Sequence, residues 1–194
     1  GARAGLFIRE SSALEKMDRI GTIVFDKTGT LTEGRPSLVE AHALPGMTDA
    51  ELVALIAAAE VASEHPLARA IVSAAQERNL TIPTASGFAA EAGRGVRATV
   101  NGHEVSIGGP TMLRERGLAI PEALETPEAA WSARGAAVLH VVIDGQIAGA
   151  LSLEDKIRPE SSEAIAELHR QGVRVVMITG DARSVADAVG KEIG

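Results

Sequence analysis

An acidic residue followed by hydroxyl and glycine residues stands directly after an apolar run near the start of the chain. The segment Asp26–Thr32 reads DKTGTLT, and Ile20–Phe25 before it reads IGTIVF. A carboxylate at the end of a strand can attack a phosphoryl group and hold it covalently. Glycine lets the backbone turn so that N–H groups point at phosphate oxygens. The segment therefore predicts a phosphoryl acceptor at Asp26, and a polar turn after a buried strand is the alternative interpretation.

Three shorter motifs stand next to predicted strands or helices. Ser63–Leu67 reads SEHPL, and an imidazole such as that of His65 can stack on or hydrogen-bond a nucleotide. Gly93-Arg94-Gly95 lies between two predicted strands, where small residues allow a ligand to approach the backbone. Thr179–Asp181 reads TGD and follows an apolar run. Taken alone, the histidine also suits a helix entry before proline, and the glycines also suit a bulge or a tight turn.

Two apolar segments must position these groups. Ile20–Phe25 and Val173–Ile178 are almost continuously apolar rather than alternating, which predicts strands buried on both faces of a parallel sheet. Asp26 and Thr179 would then each lie at the carboxyl end of a strand. In open parallel sheets that edge is where ligands bind.

The segment between those strands has the signals of an antiparallel sheet with helices. A capping box at Thr48–Glu51 starts a helix to about Ala62, and Pro66 starts a second helix to Asn79. Asn101-Gly102 and Asp144-Gly145 each separate two β-branched runs, which predicts two hairpins. Further helices are predicted at 111–115, 122–134 and 158–169 and from about Arg183.

Composition limits the classes of partner. The 194 residues carry 19 Lys and Arg against 26 Asp and Glu, a net charge of -7, which argues against nucleic-acid binding. The absence of cysteine excludes a disulfide framework and thiolate metal sites. The longest apolar runs are far shorter than the roughly 18 residues that span a bilayer. We therefore expect a soluble chain.

The segment Asp26–Thr32 resembles the signature of the P-type ATPases, a group within the haloacid dehalogenase-like fold. Ser63–Leu67 resembles the SEHPL motif of their heavy-metal-transporting branch, type IB. The resemblance extends over the whole chain and implies an α/β fold. A parallel-sheet phosphorylation domain, incomplete here, would comprise residues 1–33 and 154–194. An α+β nucleotide-binding domain with an antiparallel sheet would interrupt it at 34–153.

The same resemblance implies the roles of the site residues. Asp26 is expected to be phosphorylated from ATP, and Mg²⁺ to bind Asp26 and the carbonyl of Thr28. Asp155–Pro159 resembles the hinge between the two domains, and Gly109 stands where the family often has an asparagine that contacts nucleotide. The expected catalytic residues are Asp26, Lys27, Thr28 and Thr179. The expected nucleotide-binding residues are Glu60, His65, Gly93, Gly95 and Asp181, with Asp181 at the ribose or the hinge.

Thr28 distinguishes between members of this fold. Phosphatases usually carry a second aspartate two residues after the nucleophile as general acid and base, whereas a hydroxyl does not titrate near neutral pH. The phosphoenzyme would therefore be long-lived, as an ion pump requires. A soluble phosphatase of the haloacid dehalogenase-like fold and a nucleotide-binding module without catalysis remain the alternatives.

The resemblance finally implies a parent protein. It would be an ATP-driven efflux pump for copper, with zinc or cobalt as alternatives, at the cytoplasmic face of a bacterial inner membrane. Its actuator domain and membrane helices would be partners of this chain. The family's catalytic lysine and GDGxND segment do not occur before Gly194, so the Mg²⁺ site is expected to be incomplete. The chain alone is expected to be a monomer that binds ATP with little or no turnover.

Overall fold

The computed structural model describes residues 19–181 and 183–194, which form two sheets flanked by helices. Strands β1 and β8 pair in parallel, and the other six form an antiparallel sheet in the order β2-β7-β6-β5-β4-β3. This arrangement confirms the predicted α/β fold, in which an antiparallel sheet interrupts a parallel one. The elements in chain order are β1 (Thr22–Asp26), β2 (Thr32–Ala43), α1 (Asp49–Glu60), α2 (Pro66–Glu77), β3 (Ala85–Glu91), β4 (Gly95–Val100), β5 (His103–Gly108), α3 (Pro110–Arg116), α4 (Glu122–Ala133), β6 (Ala137–Ile143), β7 (Gln146–Ile157), α5 (Pro159–Arg170), β8 (Arg174–Ile178) and α6 (Arg183–Ile193).

The parallel pair is covered on one face only. Phe25 and Met177 lie side by side in the ladder and pack against Ile165 of α5 and Val189 of α6. On the opposite face Val24 remains 59% exposed. The prediction that both faces of these strands are buried is therefore wrong for the described residues. The reason is that α5 and α6 both cover the Phe25 side, and no described element covers the other.

The antiparallel sheet has helices on both faces. Helices α1 and α2 cover one face, where Leu52 and Ile71 pack with Val141 of β6. Helices α3 and α4 cover the other, where Met112 packs against Val142 and Trp131 belongs to a second buried cluster. Val141 and Val142 are neighbours in one strand and point to opposite faces, as the two-residue period of a strand requires.

The predicted local signals are confirmed. Thr48 accepts from the backbone N–H of Glu51 and donates its own N–H to the Glu51 carboxylate, so α1 has its capping box. Asn101 and Asp144 start the two hairpin turns with φ of 52° and 47°, and the glycines that follow them also have positive φ. Two consecutive residues with positive φ are typical of the type I′ turn, whose backbone twist matches the right-handed twist of the two hairpin strands.

Two long strands connect the sheets. Strands β2 and β7 pair from Thr32 opposite Ile157 to Ala43 opposite Gly149, with irregularities between. The chain therefore leaves the parallel pair along β2 and returns to it along β7. The proposed domain boundaries at 33/34 and 153/154 lie within these two strands and stay predictions.

Candidate functional site

The DKTGTLT segment forms a compact turn at the end of β1. Asp26 is exposed and has extended backbone angles, and residues 27–31 then turn back so that the N–H of Thr32 donates to the carbonyl of Lys27. Gly29 has a φ of +80°, a conformation that favours glycine. The Asp26 carboxylate thus stands at the carboxyl end of the sheet with the turn beside it.

Thr32 ties this turn to the returning strand. Its side chain is fully buried, and its hydroxyl oxygen lies 2.5 Å from Oδ2 of Asp155 and 3.1 Å from the carbonyl oxygen of Lys27. A hydroxyl has one proton, and the shorter contact assigns it to the carboxylate. The N–H of Gly29 donates to the same hydroxyl oxygen at 3.3 Å. A single buried side chain therefore connects the turn to β7.

Arg158 supports the turn from the other side. Its Nε donates to the carbonyl of Thr32 at 3.0 Å and its Nη2 to the carbonyl of Gly29 at 3.3 Å. The backbone N–H of Arg158 and the hydroxyl of Ser161 both donate to the carbonyl of Leu31 at 2.9 Å. The sequence predicts a hinge and the start of a helix around Arg158, but not these contacts with the turn. The contacts of Thr32 were missed as well, because no local pattern reveals contacts between segments so far apart in the chain.

Lys27 and the TGD segment meet beside Asp26. Lys27 is 7% exposed, and its ammonium forms an ion pair with the carboxylate of Asp181. Thr179 donates its hydroxyl to Oδ2 of Asp181 at 2.8 Å, and the N–H of Asp181 donates back to Thr179 Oγ1 at 3.1 Å. The structure therefore brings Lys27, Thr179 and Asp181 together at the end of the parallel strands.

A cleft of about 360 Å³ lies between the two sheets at this point. Lys27 and Thr28 line it together with residues from the antiparallel part of the chain, among them His65. The other lining residues are Pro36, Pro66, Leu67, Gly135, Ala137, Leu153, Asp155, Thr179, Gly180, Asp181 and Val189. The cleft thus joins the turn of residues 27–31 to the start of α2.

A second cavity, of about 380 Å³, lies in the antiparallel part. It brings together four of the residues predicted to bind nucleotide, namely Glu60, His65, Gly93 and Gly95. Gly109 also lines it, at the position where an asparagine was expected from the family. His65 and Leu67 line both the cavity and the cleft. A ligand in the cavity can therefore extend past His65 towards Lys27 and Thr28.

Glu60 supplies a buried acceptor to this cavity. It is the last residue of α1, it is 6% exposed, and its Oε2 has no hydrogen-bond partner in the part of the chain that the structure describes. Burial raises the pKa of the Glu60 carboxyl, and a hydrogen bond with Ser63 opposes that rise. An unsatisfied buried carboxylate oxygen is unfavourable unless a donor reaches it, so a ligand with an amino group suits this place.

His65 has a structural role as well as a place in the cavity. It is the N-cap residue of α2, and its Nδ1 accepts from the N–H of Leu67 at 3.2 Å. Because Nδ1 is the acceptor, a neutral ring carries its proton on Nε2. The interpretation of His65 as a helix-entry residue is therefore confirmed, and its role in nucleotide binding stays a prediction that its place in the cavity allows.

The two glycines of the GxG segment are needed for different reasons. Gly95 has a φ of +125°, and a Cβ there would overlap the carbonyl oxygen of Ile107 in the neighbouring strand. Gly93 has a φ of +72° but faces open space. The close approach at Gly95 is thus to a strand of the protein itself, whereas Gly93 leaves room at the cavity.

Comparisons with known proteins agree with this geometry. A family model described as "Hydrolase: haloacid dehalogenase-like hydrolase" matches residues 20–194. A copper-transporting P-type ATPase of Rhizobium leguminosarum is 40% identical over 194 residues, which are 100% of this chain and 23% of that protein. A silver exporting P-type ATPase of Salmonella typhimurium is 36% identical over the same length, again 23% of that protein.

A solved structure supports the fold directly. The crystal structure of a zinc-transporting PIB-type ATPase in its E2.Pi state matches with a TM-score of 0.72 and 38% identity, covering 100% of this chain and 31% of that one. The chain thus spans about a quarter of the length of its curated relatives. None of the helices in residues 19–181 and 183–194 is long and apolar enough to cross a membrane.

Proposed function

The chain belongs to the haloacid dehalogenase-like hydrolase family, and on that basis we propose that it is the ATP-binding and phosphorylation region of a heavy-metal pump. The predicted resemblance to type IB P-type ATPases is confirmed by the copper, silver and zinc ATPases that match it. The observation that carries the proposal is the meeting of Glu60, His65, Gly93 and Gly95 in one cavity that adjoins the cleft of Lys27 and Thr28.

The cavity suits the nucleoside part of ATP. Oε2 of Glu60 can accept from the exocyclic amino group of adenine, which would satisfy a buried oxygen that lacks a partner among the described residues. The imidazole of His65 can stack on the base while its Nδ1 keeps the helix cap. The polyphosphate would then run past His65 and Leu67 into the cleft.

The cleft suits the terminal phosphates, and although Asp26 is not among its lining residues, the next two residues, Lys27 and Thr28, are. A carboxylate oxygen of Asp26 attacks the γ-phosphorus, the bond between that phosphorus and the β–γ bridging oxygen breaks, and ADP leaves. Lys27 carries a positive charge at the same cleft and can balance charge on the phosphates. Asp26 and the carbonyl of Thr28 would hold Mg²⁺, which commonly takes one carboxylate plus phosphate oxygens and water, and which neutralises phosphate charge when bound.

Thr28 favours a stable phosphoenzyme over a phosphatase. It lines the cleft directly after the turn begins, where a second aspartate would act as general base in a phosphatase. A threonine hydroxyl does not remove a proton from water near neutral pH. We therefore expect the aspartyl phosphate to persist until another part of the protein hydrolyses it.

The parent protein is proposed to export copper. The basis is that the Rhizobium leguminosarum relative is named a copper-transporting ATPase. Of the predicted alternatives, zinc is supported by a matching zinc-transporting ATPase, and a matching silver exporter adds silver. The actuator domain, the membrane helices and a position at the cytoplasmic face of a bacterial inner membrane belong to the same proposal. The residues that select the metal are not assigned in this chain.

A chimera tests the catalytic part of the proposal. This chain would replace the matching region of the Rhizobium leguminosarum ATPase, and membranes would be incubated with γ-labelled ATP and Mg²⁺. We expect acid-stable label in the chimera and none in its Asp26→Asn variant. The host should tolerate copper when it carries the chimera and should not when it carries the Asp26→Asn variant. A chimera that reaches the membrane and binds ATP but takes no label would contradict the assignment of Asp26.

A further inference from the structure

Lys27 is a buried cation with one anionic partner. Its side chain is 9% exposed, and among the described residues its ammonium pairs with Asp181. An uncompensated buried charge is strongly unfavourable, so the position of this ammonium depends on a counter-charge. Asp26, the adjacent nucleophile, is exposed and has no ion-pair partner within residues 19–181 and 183–194. Asp181 is therefore the group that fixes where the Lys27 charge lies.

The carboxylate of Asp181 is itself held in place. The hydroxyl of Thr179 donates to Oδ2, the oxygen that also contacts the Lys27 ammonium, and the backbone N–H of Asp181 closes the turn on Thr179 Oγ1. These contacts use the single proton of Thr179. In this arrangement the hydroxyl proton of Thr179 is directed at Asp181.

We propose that Asp181 is a positioning residue that holds the Lys27 ammonium in the phosphate cleft, with Thr179 orienting the carboxylate, and that Asp181 does not contact the ribose. An ammonium has three donors, so one can pair with Asp181 while the others face the cleft that Lys27 lines. The residues of the adjoining cavity, where the base and ribose would lie, do not include Asp181. This inference rests on the proposed function only for the identity of the ligand that Lys27 meets.

Competitive labelling of lysines tests the ion pair. Acetylation by an N-hydroxysuccinimide ester, followed by mass spectrometry, gives a rate for Lys27 and, as internal references, for the exposed Lys156 and Lys191. In the wild-type chain we expect Lys27 to react at least tenfold more slowly than the references. Asp181→Asn should raise the Lys27 rate at least fivefold, and Asp181→Glu, which keeps the carboxylate, should restore slow labelling.

A matched control separates the pair from general loosening. Asp187 is an exposed aspartate of α6 that pairs with Arg183, so Asp187→Asn removes a carboxylate elsewhere on the same unit. It should leave the Lys27 rate unchanged. Thr179→Val should raise the rate by a smaller factor than Asp181→Asn, because the carboxylate remains but loses its orienting donor. Thermal unfolding of each variant confirms that it is folded at the labelling temperature.

Binding of AMP tests the second half of the inference. AMP has the base, the ribose and one phosphate, so a ribose contact through Asp181 would make Asp181→Asn weaken AMP as Glu60→Gln does. We expect AMP affinity to stay within twofold of wild type. An unchanged Lys27 rate in Asp181→Asn, or a fivefold loss of AMP affinity, would overturn the inference. If the wild-type chain binds neither AMP nor ATP, the proposed function fails, and the labelling rates still decide whether Asp181 positions Lys27.

Discussion

The hydroxyl of Thr32 lies 2.5 Å from the carboxylate of Asp155, across 123 positions of sequence. Thr32 is the first residue of β2 and Asp155 lies near the end of β7, so this hydrogen bond joins the strand that leaves the parallel pair to the one that returns. The other oxygen of Asp155 accepts from the N–H of Arg35 at 3.0 Å. The turn of residues 27–31 and the connection between the sheets are thus held by the same buried hydrogen bond.

Removing that anchor should destabilise the chain. Thr32→Val keeps the shape of the side chain but leaves a partly buried carboxylate oxygen without its donor, which costs about 2 kcal/mol of unfolding free energy. Urea denaturation measures the change. Thr30→Val is the matched control, because Thr30 is exposed in the same turn and should stay within about 0.5 kcal/mol of wild type. Equal losses for the two variants would contradict the role of Thr32.

Glu60→Gln should weaken nucleotide binding. The amide replaces a carboxylate that accepts a charge-assisted hydrogen bond, and we expect ATP affinity to fall about tenfold, equivalent to ~1.4 kcal/mol. Isothermal titration of ATP into both proteins measures the effect. Glu64→Gln is the control, since Glu64 is exposed and outside the cavity, and ATP should bind it as wild type. Wild-type affinity in Glu60→Gln would remove Glu60 from the site.

The same residue predicts how stability depends on pH. Burial raises the pKa of Glu60 above its ordinary value of 4.5. Between pH 4.5 and the raised pKa, the Glu60 carboxyl therefore keeps a proton in the folded chain that it has lost in the unfolded chain. The contribution of this group to stability is therefore fully present below 4.5 and is lost as pH rises through the raised pKa. Unfolding free energy measured from pH 4 to 8 should decline less steeply in Glu60→Gln. Parallel curves for the two proteins would contradict this.

Two substitutions separate the roles of His65. His65→Ala removes both the cap and the ring, so unfolding free energy should fall by about 1 kcal/mol and ATP affinity about tenfold. His65→Ser keeps a side-chain oxygen at the N-cap and should lose ATP affinity while remaining within about 0.5 kcal/mol of wild-type stability. Urea denaturation and ATP titration of both variants give the comparison. Normal ATP binding by His65→Ser would leave the residue with its structural role alone.

The glycines of the cavity should respond to alanine in a definite order. Gly95→Ala forces a methyl group into the Ile107 carbonyl and should cost about 3 kcal/mol or more. Gly93→Ala meets no neighbour but keeps a positive φ, so a loss of about 1 kcal/mol is expected. Gly109 has a φ of -81° and open space, so its alanine variant should be neutral within about 0.5 kcal/mol. Unfolding midpoints in any other order would contradict this account.

The parts of the fold that local chemistry determines could be predicted from the sequence. The hairpins at Asn101 and Asp144 follow from residues that tolerate positive φ, and the start of α1 follows from the capping box of Thr48. Glu60 and His65 could be assigned to one site only through the resemblance to a family. Their spacing alone also suits a helix end and a helix start.

The contacts that join distant segments could not be predicted. The pairs Thr32–Asp155 and Lys27–Asp181 connect residues whose neighbours in sequence show no sign of each other. The exposure of Val24 was missed for a related reason, since an apolar run indicates a buried strand without telling how many elements cover it. Such features depend on the arrangement of whole elements.

The paired strands β2 and β7 give the connection between the sheets a mechanical character. They pair over nine residues of β7, Gly149–Ile157, and at about 3.3 Å per residue such a ribbon extends for about 30 Å. Because the two strands are hydrogen-bonded to each other, they twist together, and two separate linkers would not be constrained in this way. A rotation of about 10° at the Thr32 end would displace the far end of such a ribbon by about 5 Å. The ribbon would thus act as a lever whose fulcrum lies at the turn of residues 27–31.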